Sequence, residues 1–489
     1  MLILQCFSEF TDFMLFNTTT YLVFLPLVFV CYWLMRTKRG QNVVLLMGSM
    51  VFYGWWSLPY LGLMTAACLL NFLISRQLER GAHRKRWLVG ALLLNFGVLG
   101  VFKYFNFFAE NLSELLGMFG MRADLPTLEL VLPIGISFYT FQLSAYMVDC
   151  YRGNLRPTRS LLDFLSFIMF FPQLVAGPIE RGSQLLRQIR QRRRFKYEEG
   201  VAGLRLILLG LFKKMVIADN CSVPVDAIFG NPGGFSAPVL LFGGILFTLQ
   251  IYGDFSGYCD IAKGSAHLLG IRLSVNFDRP YFSTSMVEFW RRWHVTLQSW
   301  FRDYVYIPLG GSRVGFWRTQ LNIFIVFFLS GLWHGAAWTF VLWGCYHAVL
   351  YIPSRLMARR KKVQGVADPD VGFSLIRELC RLRTFLLFGL GQIIFRCQSI
   401  SDVGVYLKSM FNISSFGQLS MPPSATLAAV GLLASLLLLT CERMTLRMDY
   451  TTDGFDRFPR MVRRFLYVVL VLVILAFGGD NSAFIYFQF

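Results

Sequence analysis

A chain of 489 residues with 55% hydrophobic and only 15% charged residues is not a soluble globular protein, in which about 25% would be charged. Its net charge of +19 does not point to nucleic acid: Lys and Arg collect in short runs between apolar segments, as in loops facing anionic lipid, and no basic face with interleaved stacking aromatics lies outside those segments. The ten cysteines are scattered, none in a Cys-x-x-Cys pair, so they read as small apolar residues of a membrane protein's interior.

In chain order, residues 1–13 contain no Lys or Arg and therefore lack the charged start of a secretory signal. Tyr21 to Met35 is the first apolar run, followed by Arg36, Lys38 and Arg39. Val43 to Ile74 holds two short spans around a Ser57-Leu58-Pro59 turn, and 76–86 is a basic loop. Trp87 to Phe108 is the next span, 109–129 a polar segment with Glu110, Glu114, Asp124 and Glu129, and Val131 to Val148 a further span. Leu161 to Ile179 is apolar but broken by Pro172 and Gly177-Pro178. Arginines flank it on both sides, so a re-entrant or interfacial segment keeps both sets on one face.

Val201 to Ala218 and Val239 to Tyr252 are spans, whereas 253–320 is too polar to cross as simple helices. Leu321 to Leu332 and Ala336 to Tyr351 flank His334, and further spans lie near 384–397, 425–441 and 464–478. Val363 to Gly372 reads as a loop. The fold class is thus an all-α polytopic membrane protein. About twelve crossings put every strongly basic loop, including 76–86, 187–196 and 355–362, on the cytoplasmic side. Several runs fall short of the ~20 residues a full span prefers, which lowers the count to ten or eleven, with re-entrant or interfacial helices besides.

Ionisable groups are costly inside a bilayer, so each one there is a functional-site hypothesis. Two histidines stand in tryptophan-rich settings: His294 in Phe289-Trp290-Arg291-Arg292-Trp293-His294, and His334 in Gly331-Leu332-Trp333-His334-Gly335. Ser285 and Glu288 form a capping-box pattern. A helix starting there places Phe289, Trp293 and Trp300 along one stripe, with Glu288 and Arg292 paired on another face. On spacing alone this is an amphipathic interfacial helix, and His294 a satisfied polar residue. His334 ends an apolar run between two glycines, where a break in the helix at membrane depth implies a cavity or a protein-lined interior. His83, His267 and His347 lack such settings and are read as non-catalytic. Asp254-Phe255-Ser256-Gly257 with Asp260 does not reach a calcium-loop spacing and reads as a polar turn beside the membrane. No serine nucleophile elbow, metal-ligand cluster or phosphate loop is present, so no metal is expected.

These segments resemble the membrane-bound O-acyltransferases, over nearly the whole chain. The carriers are Leu132-Pro133-Ile134-Gly135-Ile136-Ser137-Phe138-Tyr139-Thr140-Phe141-Gln142, Phe171-Pro172-Gln173 with Ala176-Gly177-Pro178, and Tyr252-Gly253-Asp254-Phe255-Ser256-Gly257-Tyr258. Arg302-Asp303-Tyr304, Ile307-Pro308-Leu309-Gly310-Gly311 and the two histidine motifs complete the set. The nearest likeness is to the bacterial branch that includes the alginate O-acetyltransferase membrane subunit, the peptidoglycan O-acetyltransferase and the teichoic acid D-alanyl transfer protein. The ending Phe484-Ile485-Tyr486-Phe487-Gln488-Phe489 looks like the alginate branch, and Lys263 is a local departure where that pattern has an apolar residue. Met14-Leu15-Phe16-Asn17 resembles the family's usual N-terminus, so Met14 is the expected start of translation.

The resemblance implies one membrane domain over 1–489, with core motifs in 130–350, built as a helix ring with a funnel on each side meeting near His334. It implies acyl transfer from acetyl-CoA, with no permanently bound cofactor, to a hydroxyl of a polysaccharide or of a periplasmic esterase-like (SGNH-type) partner, in the bacterial inner membrane. His334 is then the catalytic histidine and His294 the second functional one, with Trp290, Trp293, Asp303 and Trp333 along the substrate tunnel. Two other classes share the composition: a transporter of an acyl carrier or glycan, and a scaffold of a polysaccharide secretion complex.

Overall fold

A computed structural model describes residues 14–80, 83–121, 125–175, 177–363, 374–417, 421–446, 456, 458–479 and 484–485. Residues 1–13 (which precede the expected start at Met14), Asp124, Ala176, the expected loop from 364 to 372 and the closing residues 486–489 lie outside them. Among the described residues all regular structure is helical.

The first helices are α1 (Thr19–Leu34), α2 (Lys38–Gly54), α3 (Leu58–Arg80), α4 (Arg84–Leu99), α5 (Phe105–Met118), α6 (Ile136–Arg152), α7 (Leu161–Ile168) and α8 (Tyr197–Leu211). Next come α9 (Asp219–Gly230), α10 (Ala237–Leu268), α11 (Met286–Arg292), α12 (Val295–Phe301), α13 (Phe316–His334) and α14 (Trp338–Val363). The last are α15 (Leu375–Arg396), α16 (Ile400–Met410), α17 (Ala425–Met444) and α18 (Arg460–Phe477). Local chemistry sets their starts. Thr18, Thr37 and Ser160 each accept a backbone N–H of the first turn, and Ser399 and Asp402 close a reciprocal capping box.

Among the described residues, four helical stretches are long and apolar enough to cross a membrane by themselves: Leu58–Glu79, Arg84–Met118, Ala237–Leu268 and Ala425–Met444. Other apolar runs are shorter, like the 16-residue α1 with its internal Pro26. The first part of the polar segment 109–129 is helical: a π turn at Gly100–Tyr104 joins α4 to α5, which runs through Glu110 and Glu114 to Met118. Two expectations are corrected. The region after Tyr252 does not leave the helix: α10 continues to Leu268. The supposed turn at Asp254–Asp260 is therefore helical, and lysine neutralises Asp254 within the protein.

The chain divides into two compact units, Met1–Leu209 with Tyr258–Ser274, and Gly210–Gly257 with Val275–Phe489. The first unit has an aromatic core in which Phe16 stacks on Tyr258 with ring centroids 4.4 Å apart, and Phe24 packs edge-on against Phe171. Several of its buried polar groups are paired, as the absence of water favours. Asn71 and Asn95 exchange amide hydrogen bonds between α3 and α4. Asp163 accepts from Lys38 at 3.1 Å and Asn42 at 2.8 Å.

Arg193, in the basic run 187–196, is itself buried. It donates to Tyr32 Oη, Asn42 Oδ1 and the carbonyls of Ile189 and Gln191. That guanidinium staples its loop to α1 and α2. Lys263 lies close enough to Glu180 to act on its carboxylate, which accepts from Ser274.

The second unit holds a buried ion cluster. Lys214 Nζ lies 2.8 Å from Asp219 and 2.9 Å from Asp254, all three almost without solvent contact. The second oxygen of Asp254 accepts the backbone N–H of Ile485 at 2.7 Å, which ties Ile485 to α10. Beside it, Glu442 of α17 accepts from Tyr252 at 2.7 Å and faces Lys213 at 3.9 Å. All the residues expected to act lie in this second unit.

Candidate active site

The sequence between the two histidines folds so that both reach one indole ring. Helices α13 and α14 form a tight hairpin, because glycines stand where their backbones meet. A Cβ on Gly331 would overlap the Phe340 carbonyl oxygen, one on Gly344 the Phe327 carbonyl oxygen, and one on Gly335 the Phe340 ring. Only a residue without a side chain permits that approach. His334 is the last residue of α13, and Gly335 takes the chain out in extended form. The helix therefore does break at the Trp-His-Gly motif, as the flanking glycines suggest.

His334 is 6% exposed and is walled by rings. Its centroid lies 4.9 Å from Trp333, 4.9 Å from Trp343 of α14 and 5.3 Å from Phe395 of α15, each nearly perpendicular to it. Aromatic walls exclude water and hold the imidazole in one orientation.

His294 does not lie within a continuous amphipathic helix, which corrects the reading of 285–301. Ser285 caps α11 by accepting from Glu288 N–H, and Glu288 pairs with Arg292 at 2.7 Å. The helix then stops at Arg292. Trp293 is extended, His294 has φ 46° and ψ 51°, and α12 begins at Val295. Left-handed backbone is uncommon for any residue but glycine and costs about 1–3 kcal/mol, and it persists where the surroundings dictate it.

Here the 276–278 loop does so. Asn276 accepts Val295 N–H through its carbonyl, and Thr296 N–H and Oγ1 through its side chain, while Asp278 N–H donates to the Arg292 carbonyl. The break rotates Trp293 and Trp300 out of a common surface stripe and sends His294 inward, where it is 1% exposed. Its ring stands 4.8 Å from Phe255 and 5.8 Å from Trp333.

Trp333 thus touches both His294 and His334. The other expected tunnel residues are placed differently. Trp293 packs in the core against Phe277, Phe289 and Phe388. Trp290 is 4% exposed and stands 5.0 Å from His347 and 5.7 Å from Trp343. Asp303 is bound to its neighbour Arg302 through two hydrogen bonds of 2.7 and 3.2 Å.

His347 is closer to this assembly than its lone position in an apolar run suggests. It is fully buried, 4.8 Å from Trp343, and that indole lies in turn against His334. Both its ring nitrogens lack a hydrogen-bond partner among the described residues. The available signal was the i,i+4 spacing of Trp343 and His347, which places them on one helix face. Phe255 and Asn276 give no local signal; they act across the fold.

The pattern of MBOAT, membrane-bound O-acyltransferase family, matches residues 3–368. Over 97% of its length the chain is 34% identical to the whole of a protein named probable alginate O-acetylase AlgI, from Pseudomonas putida. It is 32% identical to the peptidoglycan O-acetyltransferase of Helicobacter pylori, over 82% of this chain and 80% of that one. A teichoic acid D-alanyltransferase of Bacillus subtilis is 30% identical over 46% of this chain and 59% of that one. An acyltransferase family draws on an acyl donor rather than a resident cofactor, and these matches set aside the transporter and scaffold readings. With its helical, multi-pass build and its Trp-His-Gly motif, the chain belongs to the membrane-bound O-acyltransferase family, and it is an enzyme of acyl transfer.

Proposed function

We propose that this enzyme is a single membrane domain of the bacterial inner membrane. It moves an acetyl group from acetyl-CoA on the cytoplasmic side to a hydroxyl of an extracytoplasmic polysaccharide, or of a periplasmic SGNH-type esterase-like partner that completes the transfer. The observation that carries the reading is the pairing of two buried histidines on the Trp333 indole, at the tip of a glycine-closed hairpin. The names of the relatives support the class of acceptor.

The chemistry needs little more than that pair. A hydroxyl is too weak an acid to attack unaided. His334 in its neutral form accepts the hydroxyl proton as the oxygen attacks the thioester carbonyl. The tetrahedral intermediate collapses with loss of the thiolate, which takes the proton back from the imidazolium. The products are an O-acyl ester and a free thiol. General-base assistance of this kind is worth about 10²–10⁴-fold. His294 holds the donor carbonyl or the acceptor, or stabilises the oxyanion. The ring-lined surroundings keep water from competing as nucleophile.

Purified protein in liposomes loaded with acetyl-CoA tests the scheme. Thiol release inside should depend on an acceptor outside, and polysaccharide should be acetylated at full rate only when the periplasmic partner is added. Absence of any thioester consumption by active wild type would end the scheme. Full-rate polysaccharide acetylation by the single protein would end the partner hypothesis.

Sidedness is a separate expectation. Loops 76–86, 187–196 and 355–362 face the cytoplasm because of their shared basic character. Single cysteines placed in each, in a background without native cysteines, should resist an impermeant thiol reagent in intact cells. Labelling at any one of them would require a different topology.

A further inference from the structure

Helix α15 turns an apolar stripe away from the second unit. Leu375, Leu379, Leu382 and Leu386 recur at helical spacing on one face, and each is 48% exposed or more. Thr384 and Phe388, on the opposite face, are buried. A helix turns about 100° per residue, which puts Glu378 on one flank of the stripe and Arg383 on the other.

The charge on those flanks is unevenly matched. Arg381 donates to Glu378 Oε1 at 2.6 Å from the same helix, and Arg443 of α17 donates to that same oxygen at 2.7 Å. One carboxylate does not neutralise two guanidinium groups. Arg377 and Glu288 also act on the Arg381 charge, but Glu288 is itself paired with Arg292 at 2.7 Å. Arg383 is exposed and donates to the Thr284 carbonyl at 3.2 Å, while Arg381 donates to the Phe282 carbonyl at 3.1 Å. These two contacts hold the stretch of chain that runs from Asn276 into α11.

We infer that this face of α15 seats an anionic phospholipid. Its acyl chain lies along the leucine stripe, and its phosphate is held by Arg443 and Arg381, with Arg383 adding attraction from the other flank. An exposed apolar stripe bordered by cations is the pattern of a helix face at an anionic lipid surface. Arginine offers phosphate a planar, bidentate fork. A soluble phosphate ester would use the arginines and leave the leucines bare. A zwitterionic lipid would cover the leucines and leave the excess positive charge unanswered. An anionic lipid answers both.

The test uses the full chain in non-ionic detergent micelles. Microscale thermophoresis follows titration with short-chain phosphatidylglycerol, short-chain phosphatidylcholine, glycerol phosphate and CoA. Charge-assisted hydrogen bonds contribute roughly ten- to a hundredfold each in affinity. Wild type should therefore bind phosphatidylglycerol at least about tenfold more tightly than phosphatidylcholine. R383Q/R443Q should lose that preference while binding phosphatidylcholine as wild type does, and R383K/R443K should keep part of it. L379Q/L382Q should weaken both lipids. E378Q removes the carboxylate that competes with the phosphate, so it should bind phosphatidylglycerol severalfold more tightly than wild type. A misfolded variant does not produce that gain.

Equal affinity of wild type for the two lipids would overturn the inference. So would an E378Q protein that binds phosphatidylglycerol no better than wild type. Equal loss of both lipids in R383Q/R443Q would reduce the arginines to supports of the 282–284 backbone, and would overturn it too. Glycerol phosphate or CoA binding through these arginines as tightly as phosphatidylglycerol would make this a soluble-phosphate site instead. None of these measurements involves turnover, so the acyl-transfer reading stands or falls separately.

Discussion

Replacing His334 by alanine should lower acyl-transfer turnover at least ~10²-fold, the lower end of what general-base catalysis contributes, with donor affinity nearly intact. The side chain ends a helix inside an aromatic wall, so its removal leaves a small gap and no stranded charge. The variant should insert and purify as wild type does. His294 should behave differently. Alanine there removes the imidazole and also leaves φ 46° to a residue less suited to left-handed backbone than histidine or asparagine, so His294→Asn is the better probe. A group that positions substrate contributes in ground and transition states alike, so His294→Asn should raise KM as well as lower kcat. Acetyl transfer and CoA affinity of the detergent-solubilised proteins give both numbers. Retention by His334→Ala of more than about a tenth of wild-type turnover would remove it from the mechanism.

Lys214→Met should be the most destabilising single change outside the site. It leaves Asp219 and Asp254 buried, close together and without their shared cation. Removing one partner of a buried ion pair costs about 3–5 kcal/mol, because the remaining charge has neither water nor a counter-ion. The backbone N–H of Ile485 also donates to Asp254, but it does not replace a full charge. Thermal unfolding in detergent should show a large drop in midpoint for Lys214→Met. The triple change Lys214→Met, Asp219→Asn, Asp254→Asn should recover much of it, since neutral amides replace the stranded carboxylates. A midpoint for Lys214→Met equal to wild type would mean that the three charges are not coupled in the membrane protein.

The outcome at particular residues shows what was readable. His334 was legible because its signals are local: an apolar run, a tryptophan beside it and a glycine on either side. The capping of α11 by Ser285 and the Glu288–Arg292 pair were legible for the same reason. His294 was not, because its inward turn is imposed by Asn276, almost twenty residues earlier, through hydrogen bonds that leave no periodic trace. Asp254 was misread as part of a turn, since a carboxylate in an apolar helix looks like a helix end until Lys214 is seen opposite it. The arginine pair on Glu378 was invisible, since Arg443 comes from a different helix than Arg381 and each alone resembles an ordinary interfacial charge.

By itself, then, the sequence determined that the chain is an all-helical membrane protein of this acyltransferase family, and that His334 stands at a broken helix end. These follow from solvation and short-range sterics: lipid demands apolar length and internally satisfied backbone, and glycine marks where chains approach. Only the tertiary structure decided that His294 leaves its helix to meet Trp333, that a lysine neutralises Asp254 inside the bundle, and that Arg443 joins Arg381 on Glu378. Each is a contact between distant segments. The free energy of burying a charge or turning a histidine inward depends on what the rest of the fold places opposite it.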